Sequence, residues 1–226
     1  MTAPHPPEQA GSTPADGGRE RHRAGGHYFS PSPAVASRRG EVALALPDLS
    51  VRLATDRGVF ARDRIDPGTR LLLLEVPGPP QGPVDLVDLG CGYGPIAIAL
   101  ALRSPEATVW AVDPNERARD LCSANAEACA VGDRVRVVAP EDVPADLTAA
   151  SIWSNPPIRI GKTALHALLE TWLGRLATDG SATLVVQKHL GADSLAAWMR
   201  AGGWTVERLV SRAGYRLLGV ARAEVP

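Results

Sequence analysis

The chain has 226 residues, 45% of them apolar, which is enough for one full hydrophobic core and excludes a long disordered polymer. A net charge of −1 excludes binding of nucleic acid through bulk positive charge, and three cysteines without a Cys-x-x-Cys pair exclude a disulfide framework or a zinc site and fit a reducing, cytoplasmic setting. No apolar run reaches membrane-span length and the N-terminus has no hydrophobic signal core, so no membrane partner and no metal is expected.

Residues 1–26 are rich in Pro, Gly, Ala and charge and read as a disordered tail. His27-Tyr28-Phe29 breaks that pattern in a chain that is only 4% aromatic, and either anchors the start of the fold or stands beside the active site. Residues 42–46 and 49–54 are strand-like runs joined across Pro47-Asp48, a β-hairpin. Residues 55–60 form a loop. Asp66-Pro67-Gly68-Thr69-Arg70 opens a helix that runs to Glu75, with Asp66 as cap and Pro67 at the first helical position. Residues 77–83 are a stiff Pro/Gly linker. Hairpin, helix and linker make residues 27–83 an N-terminal unit, followed by the main domain over 84–226.

From residue 84 onward strands and helices alternate. Strands are expected at 84–88, 107–112, 135–139, 149–153 and 182–186, with helices at 96–103, 114–129, 163–177 and 194–201. In the helix expected at 163–177, Leu165, Leu168, Leu169, Trp172 and Leu176 share one face. The last two strands, 204–210 and 215–221, have no helix between them and predict an antiparallel closing hairpin. Alternation of this kind predicts an α/β fold with a doubly wound, Rossmann-like, mainly parallel sheet. Charge is uneven along it: both ends are mildly basic around an acidic centre, which solvated faces explain. The chain uses 22 Arg and only two Lys, Lys162 and Lys188.

The first strand–helix turn of this domain reads Asp88-Leu89-Gly90-Cys91-Gly92-Tyr93-Gly94-Pro95. Glycines there let backbone approach a ligand, and the helix start offers free N–H groups. The dinucleotide fingerprint fails because its third glycine position would be Pro95, and no G-x-x-x-x-G-K-[ST] is present. The motif resembles that of class I S-adenosylmethionine-dependent methyltransferases, which carry a seven-stranded sheet. The resemblance implies cofactor contacts from Asp88, Gly90, Cys91, Gly92 and Gly94. It also implies that Asp113, at the end of the second strand and followed by Pro114, accepts the ribose hydroxyls, where Asp113 alone would equally serve as a helix cap. Glu141-Asp142 follows the third strand, and Asp142 is the acid expected near the adenine.

The fourth strand ends in Ser154-Asn155-Pro156-Pro157-Ile158. Neither proline has an N–H, so the strand must stop and turn at its carboxyl end, where open α/β sheets hold ligands. Beside the glycine loop this stretch resembles the Asn-Pro-Pro signature of methyltransferases acting on planar nitrogens. That likeness implies catalytic roles for Asn155, Pro156, Pro157 and Ile158: the Asn155 side-chain oxygen and the Pro156 carbonyl each accept one N–H of the target amino group, and Asn155 also faces the cofactor. Where many relatives place an aromatic residue, this chain has Ile158.

The run from Ser154 to Lys162, His166, Gln187-Lys188-His189, Gly214-Tyr215-Arg216, His27-Tyr28-Phe29 and Asp56-Arg57-Gly58-Val59-Phe60 together resemble the RsmC-type 16S ribosomal RNA guanine-N2 methyltransferases. The resemblance covers residues 27–222 and implies rRNA or the small ribosomal subunit as partner, with Lys162, Lys188 and His189 as substrate contacts, though a capping lysine and a core histidine explain them equally. The extra N-terminal domain of the best-known members has no counterpart here. Two other functions stay open at this point: a protein glutamine N5-methyltransferase, which shares Asn-Pro-Pro, and a non-enzymatic cofactor-binding partner subunit.

Overall fold

The computed structural model describes Met1 and residues 36–223, so the tail and His27-Tyr28-Phe29 lie outside the described residues. Strands β1 (Gly40–Ala45) and β2 (Ser50–Thr55) form an antiparallel hairpin, closed by the Leu46 N–H donating to the Leu49 carbonyl at 2.8 Å. Helix α1 (Pro67–Glu75) follows, capped by Asp66 as expected. The main sheet then alternates with helices: β3 (Asp85–Leu89), α2 (Pro95–Arg103), β4 (Thr108–Val112), α3 (Glu116–Ala128), β5 (Val135–Val138), β6 (Ala149–Ser154), α4 (Lys162–Leu173), β7 (Leu176–Gln187), α5 (Ala192–Ala201), β8 (Trp204–Arg212) and β9 (Tyr215–Arg222).

The sheet has seven strands in the order β5-β4-β3-β6-β7-β9-β8. β5 through β7 pair in parallel, and β9 pairs antiparallel to both β7 and β8. The chain starts at the central β3, runs outward to β5, then crosses back to β6. The reversal between β3 and β6 is the topological switch point, where strand ends part and leave a crevice.

Side chains alternate faces along each strand. Leu86, Val109, Ala111, Trp153, Val185 and Leu217 face α1, α2 and α3, while Val87, Val112, Ile152, Leu184 and Leu218 face α4 and α5. The hairpin belongs to the first of these cores: Val42, Leu44 and Leu53 are buried with Leu72 and Ile98. Packing is thus continuous across the 77–83 linker.

Several boundaries differ from the sequence expectation. The helix expected over 163–177 ends at Leu173, with Gly174 as its cap, and Leu176 is instead the first residue of β7. Leu176 is buried in either role, so apolar spacing alone could not separate them. β7 is also longer than the expected 182–186, because its register against β6 jumps between Ala149 and Ser151 and the strand resumes beyond an irregular stretch. The third helix starts at Glu116 rather than Pro114, since Asn115 caps it by accepting from the Ala118 N–H.

The hairpin forms its own two-stranded sheet and is tied to the rest by Asn125 of α3. The buried Asn125 amide accepts from the Ala54 N–H (2.7 Å) and donates to the carbonyls of Ala54 and Tyr93 (both 2.9 Å). One side chain thereby joins an exposed strand edge to the glycine loop. Asn125→Ala orphans these buried groups and is expected to lower stability by about 2 kcal/mol, a melting temperature fall of roughly 4–8 °C. Urea and thermal denaturation check this, and an unchanged midpoint would show that the hairpin does not depend on this amide.

Candidate active site

Strand parity places the site. Asp88 is the fourth residue of β3 and points to the α1–α2 face together with Leu86. Its sheet partners are Ala111 and Trp153, and two residues beyond each stand Asp113 and Asn155. Period two keeps Asp113 and Asn155 on that same face. They therefore flank the end of β3 on opposite sides. The Ser154 hydroxyl ties the ends together by donating to the Leu89 carbonyl at 2.6 Å.

The glycine loop folds over the end of β4, where the Gly90 and Cys91 N–H groups share the Val112 carbonyl at 2.8 and 3.0 Å. Gly90 and Gly92 have φ of +79° and +55°, and a Cβ on either would project into open space. Gly94 differs: its Cβ would lie 2.7 Å from Cys122 Sγ, so it serves the packing of α2 against α3 rather than the wall of the crevice. Cys91 shares a hydrogen bond with Cys122 and is buried, and both effects hold its thiol well above the usual range, which excludes a thiolate nucleophile.

Asp88 is fully buried. Its Oδ2 accepts from the Ala97 N–H of α2 at 2.8 Å, and its Oδ1 has no partner among the described residues. Burial pushes its pKa to about 8, with nearby Asp113 adding to the rise. Asp113 is buried too, which raises its pKa, although Oδ1 accepts from Asn115 N–H (2.8 Å) and Oδ2 from Gly92 N–H (2.9 Å). The helix cap is Asn115, so Asp113 is left to face the crevice. Pro114 is exposed and outside the crevice wall, and so is Asp142, in a single helical turn after β5.

Asn155 is held from a distance in sequence. Its side-chain nitrogen donates to Asp66 Oδ1 (2.7 Å) and to Thr69 Oγ1 (3.0 Å). The same Asp66 oxygen accepts the Gly68 and Thr69 N–H groups at the start of α1. Both amide hydrogens of Asn155 are thus committed to α1, and the oxygen, an acceptor, is what remains for the crevice. In the sequence Asp66 and Thr69 read as a helix start and as part of the stretch that resembles the RsmC-type family, with no contact to Asn155 expected. Gly68 fits because Tyr215 lies over it, where a Cβ would come within 2.7 Å of the ring.

The two prolines make an inverse γ-turn: Pro157 has φ −74° and ψ 73°, and the Pro156 carbonyl accepts from the Ile158 N–H at 2.8 Å. One lone pair of that carbonyl is used and one is left. Pro157 lines the crevice, whereas Ile158 lines a separate cavity between α4 and α5 with Lys162 and His166. His166 stacks on Trp198 with ring centroids 3.7 Å apart. Lys188 and His189 form an exposed turn after β7. The structure therefore gathers Gly90, Cys91, Gly92, Asp113, Asn155 and Pro157 around one crevice and sets Lys162, Lys188 and His189 outside it.

The loop after β2 closes the crevice with Val59, Phe60 and Ala61, which the sequence reading left without a role. Among the described residues the lining holds two carboxylates, Asp66 and Asp113, and no Lys, Arg or His. Such a site favours a cationic ligand over a polyphosphate.

The unfolded chain ionises Asp88 near 3.8 and the fold only near 8. The neutral carboxyl's contribution to stability is whole below pH 3.8 and is lost as pH rises through about 8. Asp88→Asn keeps the shape and stays neutral. It is expected to melt roughly 2–4 °C above the parent at pH 8.5 and to lose that advantage at pH 4, which thermal scans across pH will show. A constant difference would mean that Asp88 is ionised in the fold.

The model of the methyltransferase small domain family matches residues 50–219. The chain is 36% identical over 173 residues to the uncharacterised protein YbxB of Bacillus subtilis, covering 74% of this chain and 84% of that one. It is 36% identical over 162 residues to ribosomal RNA large subunit methyltransferase G of Streptomyces avermitilis (65% of this chain, 41% of the relative). To ribosomal RNA small subunit methyltransferase C of Aeromonas hydrophila it is 34% identical over 139 residues (59% and 39%). The chain thus spans about two-fifths of the length of these rRNA methyltransferases. Among solved structures, a T. thermophilus 16S rRNA N2 guanine methyltransferase (RsmC) in complex with AdoMet and guanosine superposes with a TM-score of 0.69 at 20% identity, over 84% of this chain and 52% of that one. The glycine loop, the Asn-Pro-Pro turn and the β2–α1 loop all fall within the matched residues, and the chain belongs to the methyltransferase small domain family.

Proposed function

We propose that the chain is an S-adenosylmethionine-dependent methyltransferase acting on guanine N2 in ribosomal RNA. The observation that carries this is the orientation of Asn155: with both amide hydrogens held by Asp66 and Thr69, its oxygen is fixed as an acceptor at the switch point beside the glycine loop.

The crevice suits the cofactor. Asp88 Oδ1 is a buried oxygen without a partner among the described residues, behind the glycine loop, and a cation bound at that loop would favour the ionised form of Asp88. Gly90 and Gly92 leave room where any side chain would intrude. Asp113 keeps lone pairs for paired hydroxyls beyond the two backbone bonds it already accepts. When bound, S-adenosylmethionine supplies an electrophilic methyl group on a sulfonium.

An exocyclic nitrogen is a poor nucleophile because its lone pair is delocalised into the ring. The Asn155 oxygen and the second lone pair of the Pro156 carbonyl each accept one N–H. Two acceptors on the hydrogens draw the nitrogen toward tetrahedral geometry and turn its lone pair toward the methyl. The proton is acidic only after transfer, so the site needs no strong base, and none of the described lining residues is a Lys or His. The work is done by positioning and fixed dipoles. Lys162, Lys188 and His189, exposed around the carboxyl edge of β6 and β7, are placed for phosphates of the RNA rather than for the reacting atoms.

Relatives named for the small and for the large ribosomal subunit both match, and the small-subunit 16S target is favoured by the guanosine-bound neighbour. Mass spectrometry of nucleosides from 16S and 23S RNA of a deletion strain is expected to show loss of N2-methylguanosine, restored by the purified enzyme. Asn155→Ala is expected to cut the turnover rate by roughly 10²–10³-fold with cofactor affinity unchanged. Methyl incorporation into a release factor and none into RNA would overturn the substrate in favour of a glutamine amide.

A further inference from the structure

We propose that Phe60 supplies the aromatic face on which the target base stacks. This rests on the reading of the site as an RNA-base methyltransferase and adds a specificity residue that the Asn-Pro-Pro turn does not provide.

Ile158, where an aromatic platform would be expected, is turned away. It packs with the α4–α5 core and lines the separate cavity there, so Pro157 is the apolar side chain that the turn offers the crevice. Phe60 lines the same crevice and is 51% exposed, the most exposed large apolar side chain among the described internal residues. Leaving a phenylalanine in water is unfavourable, and the usual relief is for the loop to fold it inward.

This loop is prevented from doing so. The Thr55 hydroxyl donates to the Arg62 carbonyl at 2.7 Å, Arg117 to the Arg57 carbonyl at 2.8 Å and Asn115 to the Gly58 carbonyl at 2.9 Å. The Tyr93 hydroxyl reaches the Ala61 carbonyl at 3.4 Å. Val59, only 2% exposed, takes the inward position that Phe60 would otherwise compete for. Ala61 adopts a left-handed φ of +54°, an unfavourable conformation for a residue with a Cβ, and this bends the backbone just after Phe60. A loop held at four carbonyls and bent at a strained residue holds its ring outward in the free protein, ready for a partner.

A flat apolar ligand is what such a ring takes, and a base turned out of its strand is commonly held between aromatic or apolar side chains. Arg57 and Arg64, both exposed, flank Phe60 in sequence, the arrangement of aromatic and cationic groups that holds single-stranded RNA. The base would lie between Phe60 and the Pro157 side of the crevice with its amino group toward Asn155.

The test uses the full chain with Phe60→Ala, Phe60→Leu, Phe60→Tyr and Phe60→Trp. For Phe60→Ala, kcat/KM on RNA is expected to fall roughly 10- to 100-fold, while the affinity for S-adenosylmethionine by calorimetry and the melting temperature stay at the wild-type values. Phe60→Leu falls between, and the Tyr and Trp variants retain activity. A direct readout is quenching of 2-aminopurine riboside in the presence of S-adenosylhomocysteine, expected with wild type and Phe60→Trp and lost with Phe60→Ala. Should Phe60→Ala weaken cofactor binding while the RNA KM is unchanged, Phe60 is a cofactor wall and the proposal fails. Equal activity of wild type and the Ala variant also overturns it. A wild-type enzyme that methylates no RNA overturns the functional reading itself, a separate outcome, and the proposal falls with it.

Discussion

One carboxylate oxygen organises this site. Asp66 Oδ1 accepts two N–H groups at the start of α1 and one from the Asn155 side chain. The helix start is thereby fixed to the end of β6, and the Asn155 amide is fixed in one of its two orientations. Without that bond the amide could present either its nitrogen or its oxygen to the crevice, and only the oxygen can accept from an amino group. Capping, which elsewhere serves only helix stability, here selects the chemistry of a residue 89 positions away.

The surrounding fold makes the contact reachable. β3, β4 and β6 end in register, so the residues just past β4 and β6 stand on either side of the glycine loop. Parity then keeps Asp88, Asp113 and Asn155 on the face that α1 covers. The β2–α1 connection has to cross this face to reach α1, which is why the crevice is walled by residues 59–61 from a hairpin outside the main sheet. Asn115 and Tyr93 serve both sides: they belong to the crevice and also hold the loop that closes it. Cofactor site and closing loop are therefore built as one hydrogen-bonded unit.

Much of this was legible in the sequence. Alternation from residue 84 gave the doubly wound sheet with its antiparallel end, and Asp66-Pro67 gave the start of α1 to the residue. The end of α4 was not, because Leu176 satisfies helical spacing and strand burial alike, and only the cap at Gly174 separates the two. The glycine loop and Asn-Pro-Pro were visible as local patterns, since each is dictated by backbone needs of adjacent residues. The bond between Asp66 and Asn155 was not, because a helix-capping Asp looks the same whether or not a distant amide shares it. Asp113 alone reads equally as cap or ligand, the glycine loop upstream favours the ligand, and in the fold Asn115 holds the capping position.

The γ-turn accounts for the departure at residue 158. In it the Pro156 carbonyl accepts from the Ile158 N–H, which draws residue 158 round toward α4. A side chain there belongs to the α4–α5 core, where Leu165 and Leu195 also line the cavity, and a branched aliphatic fits such a core better than a flat ring needing two open faces. With the turn committed to holding acceptors and residue 158 committed to the core, a planar substrate has to find its aromatic contact elsewhere in the crevice lining. The pinned loop brings Phe60 into that lining. Division of labour follows from geometry: the strand end fixes the hydrogen-bond acceptors and the hairpin loop holds the ring.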